Sequence, residues 1–195
     1  MGSATVRGSA PDQDGPLSRR NLVYSGNVAS PLVQTHDGVG VVCRGNLALV
    51  FYGADARLHR TRWVFDRVDE LAARNPGGIY SLMAITPDFA PPDAVTRAEN
   101  AKRFGRLDRV LIAMVTVALG DDFKISIVRT VMRAVILLSR KSGKHMIAST
   151  EREGIDRLLE EAVGDTRLPS RSLIEGDLAA LRTKLVAHAT VAAAR

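Results

Sequence analysis

The sequence predicts an α/β fold, with a mixed, mostly parallel five-stranded sheet, helices packed on it, and one extra helix at the C-terminus. Three observations lead there. Two β-type runs stand back to back, Val39 to Arg44 and Asn46 to Tyr52. From Asp55 onward, helical periodicity alternates with apolar runs of strand length. A last amphipathic stretch follows Pro169. The expected organisation is a flexible N-terminal tail over 1–38, the α/β domain over 39–163, and a linker with a C-terminal amphipathic helix over 164–195.

Each element has a local reason. Residues 1–38 hold five Gly, five Ser and three Pro, with Leu22 to Tyr24 as the one apolar patch. Such a stretch buries too little apolar surface to offset the entropy of ordering it. Gly45 between the first two runs marks a tight hairpin, whose strands pair antiparallel. Asp55 stands where an N-cap is expected, and Leu58, Phe65, Val68 and Ala72 follow at helical spacing. Asn75 to Gly78 ends that helix by turn chemistry. Ile79 to Ile85 is a continuous apolar strand. Thr86 to Pro92 is a loop whose final prolines suit the first turn of a helix, which would bury Ala94, Ala98 and Ala101.

Arg109 to Val117 is the strongest strand of the chain. Asp121 or Asp122 caps the next helix, which runs toward Arg140, and Lys144 to Ala148 is the fifth strand. Thr150 with Glu153 forms a capping box for a helix through Leu159. Ser172 with Glu175 repeats that signal before a helix carrying Ile174, Leu178, Leu181 and Leu185 on one side.

Composition excludes several classes. Hydrophobic residues make up 46% and charged residues 25%, a globular profile. The best apolar run, Val110 to Leu119, is about half the ~20 residues a membrane span needs, and no leader-type apolar stretch opens the chain. The expectation is therefore a cytoplasmic protein without a membrane partner. The net charge of +6 is uneven. Phe123 to Thr150 carries six basic residues and no acid, whereas Glu151 to Asp165 carries six acids against Arg152 and Arg157. Aromatics at 5% are too few for base-stacking platforms, which argues against nucleic acid.

Motifs for chemistry are absent. Cys43, the single cysteine, permits no internal disulfide and falls in an apolar strand, where a buried thiol is inert. His36, His59, His145 and His188 show no ligand spacing, so no metal site is expected. Gly143-Lys144 lacks the earlier glycine of a phosphate loop, and Gly38 and Gly40 precede a strand rather than a helix. No cofactor is expected, and no catalytic residue.

On the helix from Asp122, Arg129, Arg133 and Arg140 fall on one side and form a basic face, either solvated or the footprint of an acidic partner. The apolar arc beside them is wider than one sheet-facing stripe. It leaves room for the C-terminal helix, a partner protein or a second copy of the chain.

The order strand, strand, helix, strand, helix, strand, helix, strand, helix resembles the STAS domain of bacterial anti-sigma-factor antagonists. The stretch Ala148-Ser149-Thr150-Glu151 through Leu158-Leu159 adds to the likeness, with a small hydroxyl residue closing the last strand before an acidic helix start. The resemblance implies a non-enzymatic signalling domain that binds a protein partner, a kinase or another regulator. It also implies a contact surface at Thr86, Asp88, Phe89, Arg97 and Arg103. The chain departs from the family at its Asp-Ser-x-Gly turn: Ile85 to Ala90 offers Thr86 as its only hydroxyl and no glycine. Thr86 thus reads either as a phosphate acceptor or as the residue closing the strand beside Pro87. The rival reading is an enzymatic or ligand-binding domain that holds a lipid or nucleotide in an apolar pocket between sheet and helices.

Overall fold

The structure, a computed structural model, describes residues 32–87, 89–90, 92–120, 126, 129–130 and 144–193. The expected tail before residue 32, Asp88, Arg133, Arg140 and most of the Asp122 to Arg140 helix lie outside those residues.

Six strands form one sheet in sequential order: β1 (Gln34–His36), β2 (Val39–Arg44), β3 (Leu47–Tyr52), β4 (Ile79–Ile85), β5 (Leu111–Ala118) and β6 (His145–Ala148). β1, β2 and β3 pair antiparallel, and β3 through β6 run parallel. The mixed α/β class is as the sequence predicts, with one strand more. β1 was expected to be tail. It pairs Gln34 with Val41 and His36 with Val39 around the turn Asp37-Gly38. Both turn residues have positive φ, 46° and 80°, as a two-residue hairpin with the strands' own twist requires.

The central strands dictate the layers. All six residues of β3 are buried, so both faces of the sheet need cover. Leu47, Leu49 and Phe51 point one way, and Ala48, Val50 and Tyr52 the other. Helices α1 (Leu58–Arg74) and α2 (Ala94–Leu107) cover the second set, with Val64, Phe65, Val68 and Leu71 of α1 in the core. Helices α3 (Glu151–Glu161) and α4 (Arg171–Ala193) cover the first.

Three helix details differ from expectation. Asp55 does not cap α1. Its carboxylate accepts from Arg57 and Arg60 instead, and the helix begins after Arg57. On α2, Ala94, Ala98 and Ala101 are exposed rather than buried. The inward side carries Thr96, Asn100, Phe104 and Leu107, and Asp93 caps the helix by accepting from the Thr96 amide at 2.7 Å. α4 starts one residue before Ser172, with the Ser170 carbonyl accepting from the Ile174 amide. The Thr150–Glu153 box does form, although Glu153 takes the Ser149 amide rather than that of Thr150.

α4 is fixed in two ways. Ile174, Leu178, Leu181 and Leu185 are all buried against β2 and β3. Gly40 makes room for them, since a Cβ there would lie 2.7 Å from Leu181. Arg44 of β2 also makes a two-pronged ion pair with Asp177, at 2.7 and 2.9 Å, with both side chains nearly out of water. Breaking one side of such a pair leaves an uncompensated charge. Leu181→Ala should therefore cost about 2–5 kcal/mol through the cavity it leaves, and Leu178→Asp more. Thermal melts check this against Ala180→Asp on the exposed side, which should melt close to wild type. Equal midpoints for all of them would mean that α4 does not support the fold.

Candidate functional site

Parallel strands carry their connecting loops at matched ends, and in α/β sheets binding groups gather at the C-terminal ends. Here Tyr52, Ile85, Ala118 and Ala148 end the four parallel strands. The β1–β2 turn joins them there, where the Gly53 amide donates to the Gly38 carbonyl at 2.9 Å.

The loop after β4 is built inward. The Thr86 amide donates to the Tyr52 carbonyl, extending the ladder, and the Phe89 amide donates to the Thr86 carbonyl at 3.1 Å, closing a turn with Pro87 at its second position. The Thr86 hydroxyl is buried and has no hydrogen-bond partner among the described residues. Phe89 is half-buried, with its ring edge against Tyr52 at 5.7 Å between centroids. It covers a cavity of about 100 Å³ between the sheet, α1 and α2. Tyr52, Phe65, Phe104 and Leu107 supply much of the wall, and Ser81 and Asn100 face in from β4 and α2. Burial pushes the Tyr52 hydroxyl up to about 12.

The remaining expected site residues separate. Arg97 is exposed and donates to the Pro92 carbonyl at 2.8 Å. Arg103 leaves the surface to clamp α2 on α1: it donates to Glu99 at 3.1 Å, Asp66 at 3.0 Å and Asp69 at 2.9 Å. Its hydrogen bond holds the Glu99 carboxyl below the usual range. Arg129 does not project as a solvated charge. Its guanidinium donates to the carbonyls of Ala118, Gly120 and Ser149, tying the ends of β5 and β6 together. Cys43 is half-buried, and burial pushes its thiol up to about 11, far from a reactive thiolate.

Spacing alone misses a second cluster. His36 stacks on Trp63 at 5.4 Å, His59 meets His36 edge-on at 5.9 Å, and His59 Nε2 lies 2.7 Å from Asp37. Arg60 also donates to Asp37, at 2.9 Å. The Asp-Gly turn was the one signal for this meeting, because it folds His36 back over α1. Neither His59 nor His145 lines the cavity. Among the described residues, no three His, Cys, Asp or Glu side chains converge as a metal site, and no helix is long and apolar enough to cross a membrane.

No family model matches this chain, and no curated protein does. Among solved structures it is similar to the phosphorylated form of the Bacillus cell fate determinant SpoIIAA, at 16% identity over 65% of this chain and 97% of that one, with a TM-score of 0.37. That likeness is one of outline, and nothing about function follows from it.

Asp37 gives a test of the second cluster. Arg60, and then His59, hold its carboxyl down at about 2 against an ordinary 3.8. A lowered native value means stability that is complete once the unfolded carboxylate is ionised, above about pH 5, and is lost as pH falls toward 2. Asp37→Asn keeps a residue tolerant of positive φ and removes the charge. The variant should melt slightly below wild type at neutral pH, by a small margin because the pair is half in water. The gap should narrow from about pH 5 downward and close only near or below about pH 2; a gap that is constant with pH would assign the effect to shape instead of charge.

Proposed function

We propose that this chain is a non-enzymatic regulatory domain of the cytoplasm that acts by binding another protein through the outer face of α2 and the loop before it. One observation carries the reading. Ala94, Ala98, Ala101 and Gly105 recur at helical spacing on α2, and all four are exposed. A Cβ at Gly105 would meet nothing within 4 Å. Val95, 63% exposed, adds an apolar side chain to that face, and Arg97, Lys102 and Arg106 frame it with positive charge. Small residues let a partner's backbone come close, and the basic frame suits an acidic partner surface.

A kinase or another regulator is the candidate partner in this reading, as the sequence's resemblance to anti-sigma-factor antagonists implies. Thr86 in this reading closes a strand, since its hydroxyl is turned inward, and Phe89 supports the surface from beneath. Arg103 and Arg129 hold the scaffold. A second copy of the chain is a further occupant of the α2 face, distinguished by mass in solution.

The test is recovery of partners from the native cell with the full-length tagged chain, identified by mass spectrometry. Ala98→Arg is expected to leave the melting temperature near wild type, because the position is in water, and to cut recovery by about tenfold or more. Arg97→Glu should weaken binding in a salt-dependent way. Phe89→Ala should instead lower the melting temperature. If Ala98→Arg and Arg97→Glu both retain every partner, the α2 face is not the contact surface.

A further inference from the structure

Beyond partner binding, and independent of it, we infer that the cavity beneath Phe89 is a binding site for a neutral, largely apolar small molecule carrying one hydrogen-bonding group.

The wall sets the ligand's charge. Tyr52, Phe65, Phe89 and Phe104 present four rings, and among the described residues no Asp, Glu, Lys, Arg or His lines the space. A charged group placed among them would lose its water and gain no counter-ion. These walls disfavour a nucleotide or a free carboxylate.

The two polar groups set its recognition. Ser81 sits in the middle of β4, between Tyr80 and Leu82 in a run that is otherwise apolar, and turns the same way as Ile79 and Met83. Asn100 stands on the inward side of α2, between Thr96 and Phe104. Neither residue type is what packing of sheet on helix selects. Together they place a hydroxyl and an amide on two walls of one apolar space, the pattern of small-molecule sites, in which a few polar groups fix orientation.

Volume sets the size. The space is about 100 Å³; an apolar cavity of roughly 150 Å³ stays dry and takes up benzene. The ligand is therefore smaller than benzene, with roughly four non-hydrogen atoms, too few for a whole acyl lipid. Phe89 lines the space beside Tyr52, the two rings meeting edge to face.

2-Propanol and xenon are the probes, titrated into the full-length chain and followed by amide NMR shifts and by the melting temperature. 2-Propanol should give saturable shifts around Tyr52, Ser81, Asn100 and Phe104, with half-saturation at or below about 1 mM, and xenon should bind more weakly. Asn100→Leu should weaken 2-propanol about fivefold or more and leave xenon unchanged. Two fillings, Ser81→Leu and Ala56→Leu, guard against a variant that does not fold; whichever folds should bind neither probe. The inference fails if wild type shows no saturable shift with either probe up to about 10 mM. It also fails if a folded filled variant binds as wild type does, because the probes then sit on the surface.

Discussion

The whole architecture depends on a sheet whose middle strands are buried on both sides. Every residue of β3 is buried, and the buried pattern of β4 and β5 is nearly as complete. Crossovers between parallel strands are right-handed, so α1 and α2, which connect β3 to β4 and β4 to β5, fall on the same face. The opposite face receives nothing from those connections. Among the described residues, α3 and α4, which follow β6, cover it. The C-terminal helix is thus not an appendage to an α/β domain but half of its second layer. The Arg44–Asp177 pair, 133 residues apart in sequence, holds it in register.

The same division of labour shapes the other face. α1 lies flat on the sheet through aliphatic and aromatic residues, but α2 meets it with Thr96, Asn100, Phe104 and Leu107, a mixed and narrow contact. Arg103 makes up for the thin packing by reaching Asp66 and Asp69 on α1. A helix held from its flank by charge and only partly by packing leaves space beneath it and its small residues outside. The cavity and the exposed alanines are two results of one orientation.

Much of this was legible in the chain, and the failures have physical causes. β2 to β6 are apolar runs, and such runs announce themselves. The capping box at Thr150 and the stripe Ile174, Leu178, Leu181 and Leu185 carried period and chemistry together. β1 escaped because Gln34, Thr35 and His36 are polar, and only the Asp37-Gly38 pair signalled its turn. α2 was turned the wrong way because alanine fits either side of a helix, while Asn100 and Thr96 do not look like core. At the candidate site, the loop from Thr86 to Pro92 was found, but the inward direction of Phe89 depends on Tyr52, which is distant in sequence. Arg103 and Arg129 could not be assigned at all from spacing. A basic residue looks the same in a sequence whether it meets water, a carboxylate on the next helix or the carbonyls of a strand end.

The margins of the sheet have a consequence of their own. It terminates on β1, three polar residues long, and on β6, four residues long. Unpaired strand borders are templates for further strands, and brevity and polarity blunt them. Neither border here offers an invading strand more than a few backbone groups to zip onto. Between the described strands, this geometry disfavours both self-association into fibrils and recognition by strand addition.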